Sequence, residues 1–251
     1  MYAQYGPLCA QVYEHTKPVG HAIAGDLDYY YSRLRHLNGP ILEAGVGNGR
    51  LLIPFHQAGL KIEGIDLSAD MLAVCQHHCH QANIKPALYQ GDMGAYPYPH
   101  AYEAIMMPTG SFGLITDRHK AVHILSHFHQ HLQVGGRLIL DLDLPLDWAN
   151  NQHSMTAYEL APDYGITLSQ HSQHIDWANQ ITYTLLKYEA WRQGQLVATE
   201  LQSFNMRWYG VDEFTHLLLR LGYRDIVVSG GYQFGLAPEH THGLVTFEAY
   251  K

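Results

Sequence analysis

Cysteine is scarce in this chain: Cys9, Cys75 and Cys79 are the only three in 251 residues. Three cysteines do not make a disulfide framework, and they fit a reducing, cytoplasmic setting. Positive charge is also scarce, with 15 lysines and arginines against 23 acids and a formal net charge of −8. No Lys/Arg-rich run occurs, so neither a nucleic acid nor a membrane surface is the expected partner. The opening Met1-Tyr2-Ala3-Gln4-Tyr5-Gly6 has no charged leader and no apolar stretch behind it. Neither a signal peptide nor a membrane span is expected. Internal repeats and low-complexity segments are absent as well. The length suits a single domain, 1–251, with room for one elaborate insertion. An apolar share of 47% is ordinary for a protein with a real core.

What is present is an alternation of strand and helix signals. Residues 3–37 read as N-terminal helices, with Asp26 as a cap before Leu27-Asp28-Tyr29-Tyr30-Tyr31. Strands follow at 40–44, 61–66, 87–90, 102–107 and 137–142. Helical stretches at about 48–58, from 68 through His78, and at 117–132 lie between them. Strands separated by helices of 10–15 residues predict βαβ units and a parallel sheet. The pattern changes over 156–209, where Ile166-Thr167-Leu168, Ile181 to Leu186 and Leu196 to Thr199 are rich in β-formers. Ala178-Asn179-Gln180 and Gln193-Gly194-Gln195 are turn sequences. This stretch predicts an antiparallel insertion after strand five, placed to act as a lid on the substrate side. A helix at 211–221 and strands at 223–229 and 243–250 complete a doubly wound, mostly parallel α/β sheet of seven strands.

Ile41-Leu42-Glu43-Ala44-Gly45-Val46-Gly47-Asn48-Gly49-Arg50 is the most informative run. An apolar strand ends on an acid and meets three alternating glycines, which lets a ligand approach the backbone closely. A dinucleotide fingerprint requires a third glycine where Arg50 stands, and Glu43 is poorly placed beside phosphates. A cationic, amino-acid-like cofactor tolerates that acid far better. S-adenosylmethionine is such a cofactor. Asp66 closes the second strand, where a carboxylate can accept from both ribose hydroxyls. Asp92 follows the third strand, where an acid can accept from the adenine amino group. Leu67, Met71 and Met93 are apolar neighbours suited to sandwich the purine.

Glu-x-Gly-x-Gly-x-Gly at 43–49, Gly64-Ile65-Asp66-Leu67-Ser68-x-x-Met71-Leu72, Gly91-Asp92-Met93 and Leu132-x-x-Gly135-Gly136-x-Leu138 together cover much of 26–145. In combination they resemble the motifs of class I S-adenosylmethionine-dependent methyltransferases. The Asp26 to Tyr30 approach and the Met107-Pro108-Thr109-Gly110-Ser111-Phe112 loop resemble the small-molecule branch. The antiparallel insertion and glycine-rich tail are similar to those of amino-sugar N-methyltransferases. Val46 and Asn48 depart mildly from the family turn. The resemblance implies that Glu43, Gly45 and Gly47 cradle the methionine moiety, with Gly49 completing the turn. It implies Asp66 for the ribose, Asp92 and Met93 for the adenine, and Pro108 and Ser111 along the methionine side. Tyr13 and Tyr30 stand where an N-terminal segment closes over the cofactor in such enzymes.

The expected reaction is in-line methyl transfer to a nitrogen or oxygen of a small molecule. Such transfer asks for alignment and water exclusion more than for a catalytic triad. The substrate side offers Arg207, Tyr232, His240 and His242 as candidate catalytic groups. A silent cofactor-binding protein and an NAD-dependent oxidoreductase are the alternatives. The insertion also offers strands for pairing in a homodimer. Nineteen histidines are the compositional oddity. Cys75-Gln76-His77-His78-Cys79-His80 looks like a metal cluster, but its helix packs on the sheet, and no metal site is expected. His119, His123, His127 and His131 recur every four residues and read as a solvated stripe.

Overall fold

The computed structural model describes residues 5–146 and 148–251. Of the helical stretch expected over 3–37, residues 3 and 4 lie outside them. The rest forms two helices, α1 (Pro7–Thr16) and α2 (Asp26–Leu34), joined by a loop. Strands and helices then alternate: β1 (Ile41–Ala44), α3 (Leu52–Gln57), β2 (Ile62–Asp66), α4 (Ala69–Gln81), β3 (Leu88–Gln90) and β4 (Tyr102–Met107). A short 3₁₀ turn at Ser111–Leu114, α5 (Arg118–His131) and β5 (Leu132–Asp143) follow. The insertion is β6 (Gln152–Ala161), β7 (Tyr164–Asp176), β8 (Ile181–Arg192), β9 (Gln195–Ser203) and β10 (Met206–Arg207). The chain ends with α6 (Val211–Arg220), β11 (Arg224–Gly230) and β12 (Leu244–Tyr250).

Seven strands make the main sheet in the order β11-β12-β5-β4-β1-β2-β3. The run from β5 to β3 is parallel, and β12 is antiparallel to both β5 and β11. All four residues of β1 are buried, as expected of a central strand covered on both faces. Strand order reverses at β1 and β4, which places a ligand crevice beyond their carboxyl ends. One apolar cluster packs Phe112, Phe128, Phe214 and Phe247 on one side of the sheet. A second packs Tyr30, Leu34, Leu52 and Phe55 on the other.

β6 to β10 form a separate five-stranded antiparallel sheet, with β9 and β10 both pairing with β8. It begins before the expected 156–209, because β6 already starts at Gln152. Gln152-His153-Ser154 carries little β-propensity; pairing with β7 supplies the order that the sequence does not signal. α1 packs on this sheet through Leu8, Cys9 and Val12 against Ile166, Leu186, Tyr188 and Ala190. The Glu200 carboxylate of β9 accepts from the Leu8 N–H at 2.9 Å and the Cys9 N–H at 3.4 Å. An acid from the far end of the chain thus satisfies the free N–H groups that open α1.

Asp26 does not cap α2. It is the helix's first residue, after Gly25, and its carboxylate turns inward. At the other end of α2, Arg33 pairs with the buried Glu248 of β12 at 2.9 Å, and Arg137 of β5 joins the same acid at 2.7 Å. The histidine stripe on α5 divides. His119 and His123 are exposed, whereas His127 and His131 lie against Tyr98 at ring separations of 5.5 and 5.2 Å. No helix among the described residues is long and apolar enough to cross a membrane.

Glu200→Ala is expected to cost about 1–2 kcal/mol in urea unfolding, the usual cost of losing a helix cap. An unchanged midpoint would show that α1 does not depend on this carboxylate.

Candidate active site

After β1 the chain turns through Gly45 (φ 76°), Gly47 (φ 55°) and Gly49 (φ 83°). Side chains with a Cβ rarely adopt these values. The Gly45 and Val46 N–H groups both donate to the Ile65 carbonyl, at 2.8 and 3.0 Å, hitching the turn to β2. The three glycines have different surroundings. A Cβ on Gly49 would sit 2.8 Å from Cys75 Sγ, so this position lets α4 pack closely. A Cβ on Gly45 would meet only Ser111 Cβ, at 3.9 Å. Open space therefore lies between the turn and the loop after β4.

Asp66 stands beside that turn. Its carboxylate accepts from the Gly47 N–H at 2.8 Å and the Ser68 N–H at 2.9 Å. Burial raises its pKa, and these N–H groups oppose the rise. Ser68 caps α4 and donates through Oγ to the Tyr5 carbonyl at 2.8 Å, which brings the N-terminal segment to the end of β2. Leu67 is 54% exposed next to Asp66, while Met71 is buried and Met93 half-buried. Asp92 lies on the neighbouring strand end, where the Gly91 N–H donates to the Asp66 carbonyl at 3.0 Å. Lys120 of α5 reaches Asp92 at 2.7 Å and lowers its pKa.

Beneath the turn, Glu43 is buried and its Oε2 has no hydrogen-bond partner. Burial pushes its carboxyl up to about 8, with Arg50 opposing and Asp26 and Asp66 adding to the rise. Arg50 is itself buried and pairs with Asp26. Its Nη1 donates to the His21 carbonyl at 2.7 Å, and Asp26 also accepts from the Ile23 N–H at 2.7 Å. The loop between α1 and α2 is thereby drawn onto the glycine turn. Asn48, one of the family departures, has a role here. Its Nδ2 donates to Glu14 Oε2 at 2.8 Å and to the Lys17 carbonyl at 3.0 Å, tying the turn to α1.

Tyr13 and Tyr30 occupy different depths. Tyr13 is half-buried, with Lys17 Nζ 4.7 Å from its ring centre. Tyr30 is fully buried in an aromatic cluster with Tyr29 and Tyr232, and its hydroxyl has no partner. That cluster surrounds Asp141, which accepts from the Thr109 N–H at 2.7 Å, the Tyr232 hydroxyl at 2.8 Å and Thr246 Oγ1 at 2.7 Å. Burial pushes Asp141 up to about 6 despite these donors. Thr109 needs that support, because its φ of 55° is strained for a β-branched residue. Pro108 is buried, and its carbonyl accepts from Ser111 Oγ at 3.0 Å.

The substrate-side candidates are placed as follows. Arg207 is buried and donates to the Thr116 carbonyl at 2.8 Å and the Asn179 carbonyl at 2.6 Å, so it fastens the insertion to the loop after β4. Tyr232 is buried against Asp141. His242 Nδ1 accepts from the Glu239 N–H at 2.8 Å, and its ring covers Gly230. His240 is exposed. Lys17 carries no signal as a single residue, and Asp141 shows in the sequence only as an acid at the end of strand five; only the fold brings Thr109, Tyr232 and Thr246 to it. Among the described residues no group of three or more His, Cys, Asp or Glu is arranged to hold a metal, and Cys75 and Cys79 are buried.

Asp26→Ala leaves Arg50 charged and buried without its partner. A loss of about 3 kcal/mol or more in folding stability is expected by chemical denaturation.

Residues 41–136 match a family model described as "Methyltransferase domain". A ubiquinone biosynthesis O-methyltransferase from Sodalis glossinidius is 32% identical over 92 residues, covering 36% of this chain and 37% of that protein. The match thus spans little more than a third of that relative's length. An S-adenosylmethionine-dependent methyltransferase from Clostridium acetobutylicum superposes with a TM-score of 0.76 at 16% identity, covering 96% of each chain. A sugar N-methyltransferase from a Streptoalloteichus species gives 0.75 at 16% identity, covering 100% of this chain and 94% of that one. The glycine turn, the sheet order, the methyltransferase-domain match over residues 41–136 and these fold likenesses agree, and the chain has the fold of S-adenosylmethionine-dependent methyltransferases.

Proposed function

We propose that this chain transfers the methyl group of S-adenosylmethionine to a nitrogen or oxygen of a small-molecule acceptor. The observation that carries the reading is Glu43: a buried carboxylate with one unpartnered oxygen, next to the open face of Gly45. A buried acid in that state favours a cationic ligand, since an opposite charge repays its desolvation. When bound, S-adenosylmethionine supplies a methyl group already activated on a sulfonium.

The chain's own residues supply position. Glu43, Gly45 and Gly47 would form the cradle for the amino-acid end, with Gly49 completing the turn against α4 and Pro108 and Ser111 across from it. Asp66, its two oxygens oriented by the Gly47 and Ser68 N–H groups, would hold the ribose. Asp92, steadied by Lys120, reads the adenine edge, with Leu67, Met71 and Met93 against the ring. Tyr13 would close the near side from α1, while Tyr30 packs with Tyr29 and Tyr232 beneath the site. The insertion acts as a lid, holding α1 in place through Glu200 and excluding water. We read the whole chain as one domain. The net negative charge favours a small molecule over a nucleic acid. Three free, buried cysteines fit the cytoplasm.

S-adenosylhomocysteine is expected to raise the melting temperature while NADH does not, and tritium is expected to pass from the labelled cofactor to an acceptor. Stabilisation by NADH alone would favour an oxidoreductase, and binding without transfer a sensor.

Glu43 also makes a prediction with opposite signs. Its carboxyl holds a proton more tightly folded, at about 8, than at its ordinary value of 4.5. Its contribution is therefore full below about 4.5 and lost as pH rises through about 8. Glu43→Gln is expected to flatten the fall in stability between those values and to stabilise the unliganded protein at pH 8. The same change is expected to weaken S-adenosylhomocysteine binding about tenfold, the loss of one charge-assisted contact. A variant weaker in both measurements would count against the cradle.

A further inference from the structure

The carboxyl edge of the parallel sheet carries five acids. Four have their roles accounted for above: Asp66 by Gly47 and Ser68, Asp92 by Lys120, Asp141 by Thr109, Tyr232 and Thr246, and Glu43 by the cradle. The fifth, Asp143, is the last residue of β5. Among the described residues it makes no side-chain hydrogen bond, and no cation lies within 4.0 Å of it.

Its position is nonetheless constrained. The carboxylate lies on Gly110, where a Cβ would run into it. Gly110 itself has φ 69°, so the loop after β4 both needs glycine and leaves the acid its space. Lys17, at the end of α1, faces Asp143 closely enough to act on its charge without pairing with it. Lys17 Nζ is instead held over the Tyr13 ring. Asp143 keeps an exposed surface, while the protein packed around its carboxyl strips part of its water and pushes it up to about 6, with Lys17 opposing.

Strand order gives this acid a direction. Asp66, Glu43 and the Pro108 to Ser111 loop follow β2, β1 and β4, the span assigned above to the cofactor. The next strand along is β5. An acceptor aligned for displacement at a methyl group stands on that far side, beyond Ser111 and Gly110. We propose that Asp143 is the specificity-determining residue for the acceptor and that it receives a protonated amine. This rests on the methyltransferase reading above.

A carboxylate with no partner among the described residues suits an ammonium and offers an alcohol much less. It also handles the proton. The ammonium passes one proton to the Asp143 carboxylate, which releases it to solvent, and the nitrogen keeps a lone pair. Nitrogen then bonds to the methyl carbon as the carbon–sulfur bond breaks, with that electron pair staying on sulfur. Lys17, held over the Tyr13 ring, opposes the rise in the Asp143 pKa and so helps keep the carboxylate ionised.

The test uses saturation-transfer NMR on the full chain saturated with S-adenosylhomocysteine, with cyclohexylammonium and cyclohexanol as probes. The wild type is expected to bind the ammonium saturably and about tenfold more tightly than the alcohol. Asp143→Asn is expected to erase that preference while its S-adenosylhomocysteine affinity stays within about twofold. Asp143→Ser repeats the comparison with a smaller side chain. No preference in the wild type, or a preference retained in both variants, overturns the proposal. Failure of S-adenosylhomocysteine to bind the wild type overturns the methyltransferase reading itself, a result visible before any probe is added.

Discussion

The ion pair between Arg50 and Asp26 is the constraint on which the rest of the site depends. Both side chains are buried, and taking two charges out of water is expensive unless each finds good partners. Here they do: Arg50 also donates to the His21 carbonyl, and Asp26 also accepts from the Ile23 N–H. The pair therefore fixes a whole loop, not one contact. It brings the segment between α1 and α2 down onto the glycine turn and sets where Tyr13 and Lys17 stand. It also puts a positive charge near Glu43, without which that acid would be harder still to ionise. At its far end α2 is anchored again, by Arg33 on Glu248. The helix that covers the sheet is thus tied at both ends by buried charge.

The acids at the carboxyl edge divide by what the fold gives them. Asp66, Asp92 and Asp141 are met by N–H groups, hydroxyls or a lysine, so they are rigid and already oriented. Glu43 and Asp143 are left short of partners, and burial raises both. A rigid set and a hungry set, arranged along adjacent strands, suit a site that positions one cationic ligand and aligns a second against it. Preorganisation of this kind is what methyl transfer asks of a protein, since the cofactor carries the activated group. The lid follows the same logic. Its sheet has its own apolar contacts with α1, and it reaches the loop after β4 through Arg207. The insertion is therefore fastened both to α1 and to the loop after β4.

The sequence by itself determined the parallel sheet, its glycine turn and the acids that close its strands. These are local features: a buried strand reads as an apolar run, a tight turn needs glycine, and an acid at a strand end is adjacent in sequence to the turn it serves. Arg50 was legible only as a missing glycine, because its partner lies 24 residues away on another element. Asp26 looked like a helix cap for the same reason: its nearest neighbours in sequence suggested a local role, and its partner was distant. Only packing between distant segments gathers Thr109, Tyr232 and Thr246 on Asp141, caps α1 with Glu200, and sets Asp143 beside Gly110 with no partner among the described residues. The physical reason is separation along the chain. Which charges are paired, and which are left to meet a ligand, depends on contacts between segments from 24 to 192 residues apart, and no local pattern records them.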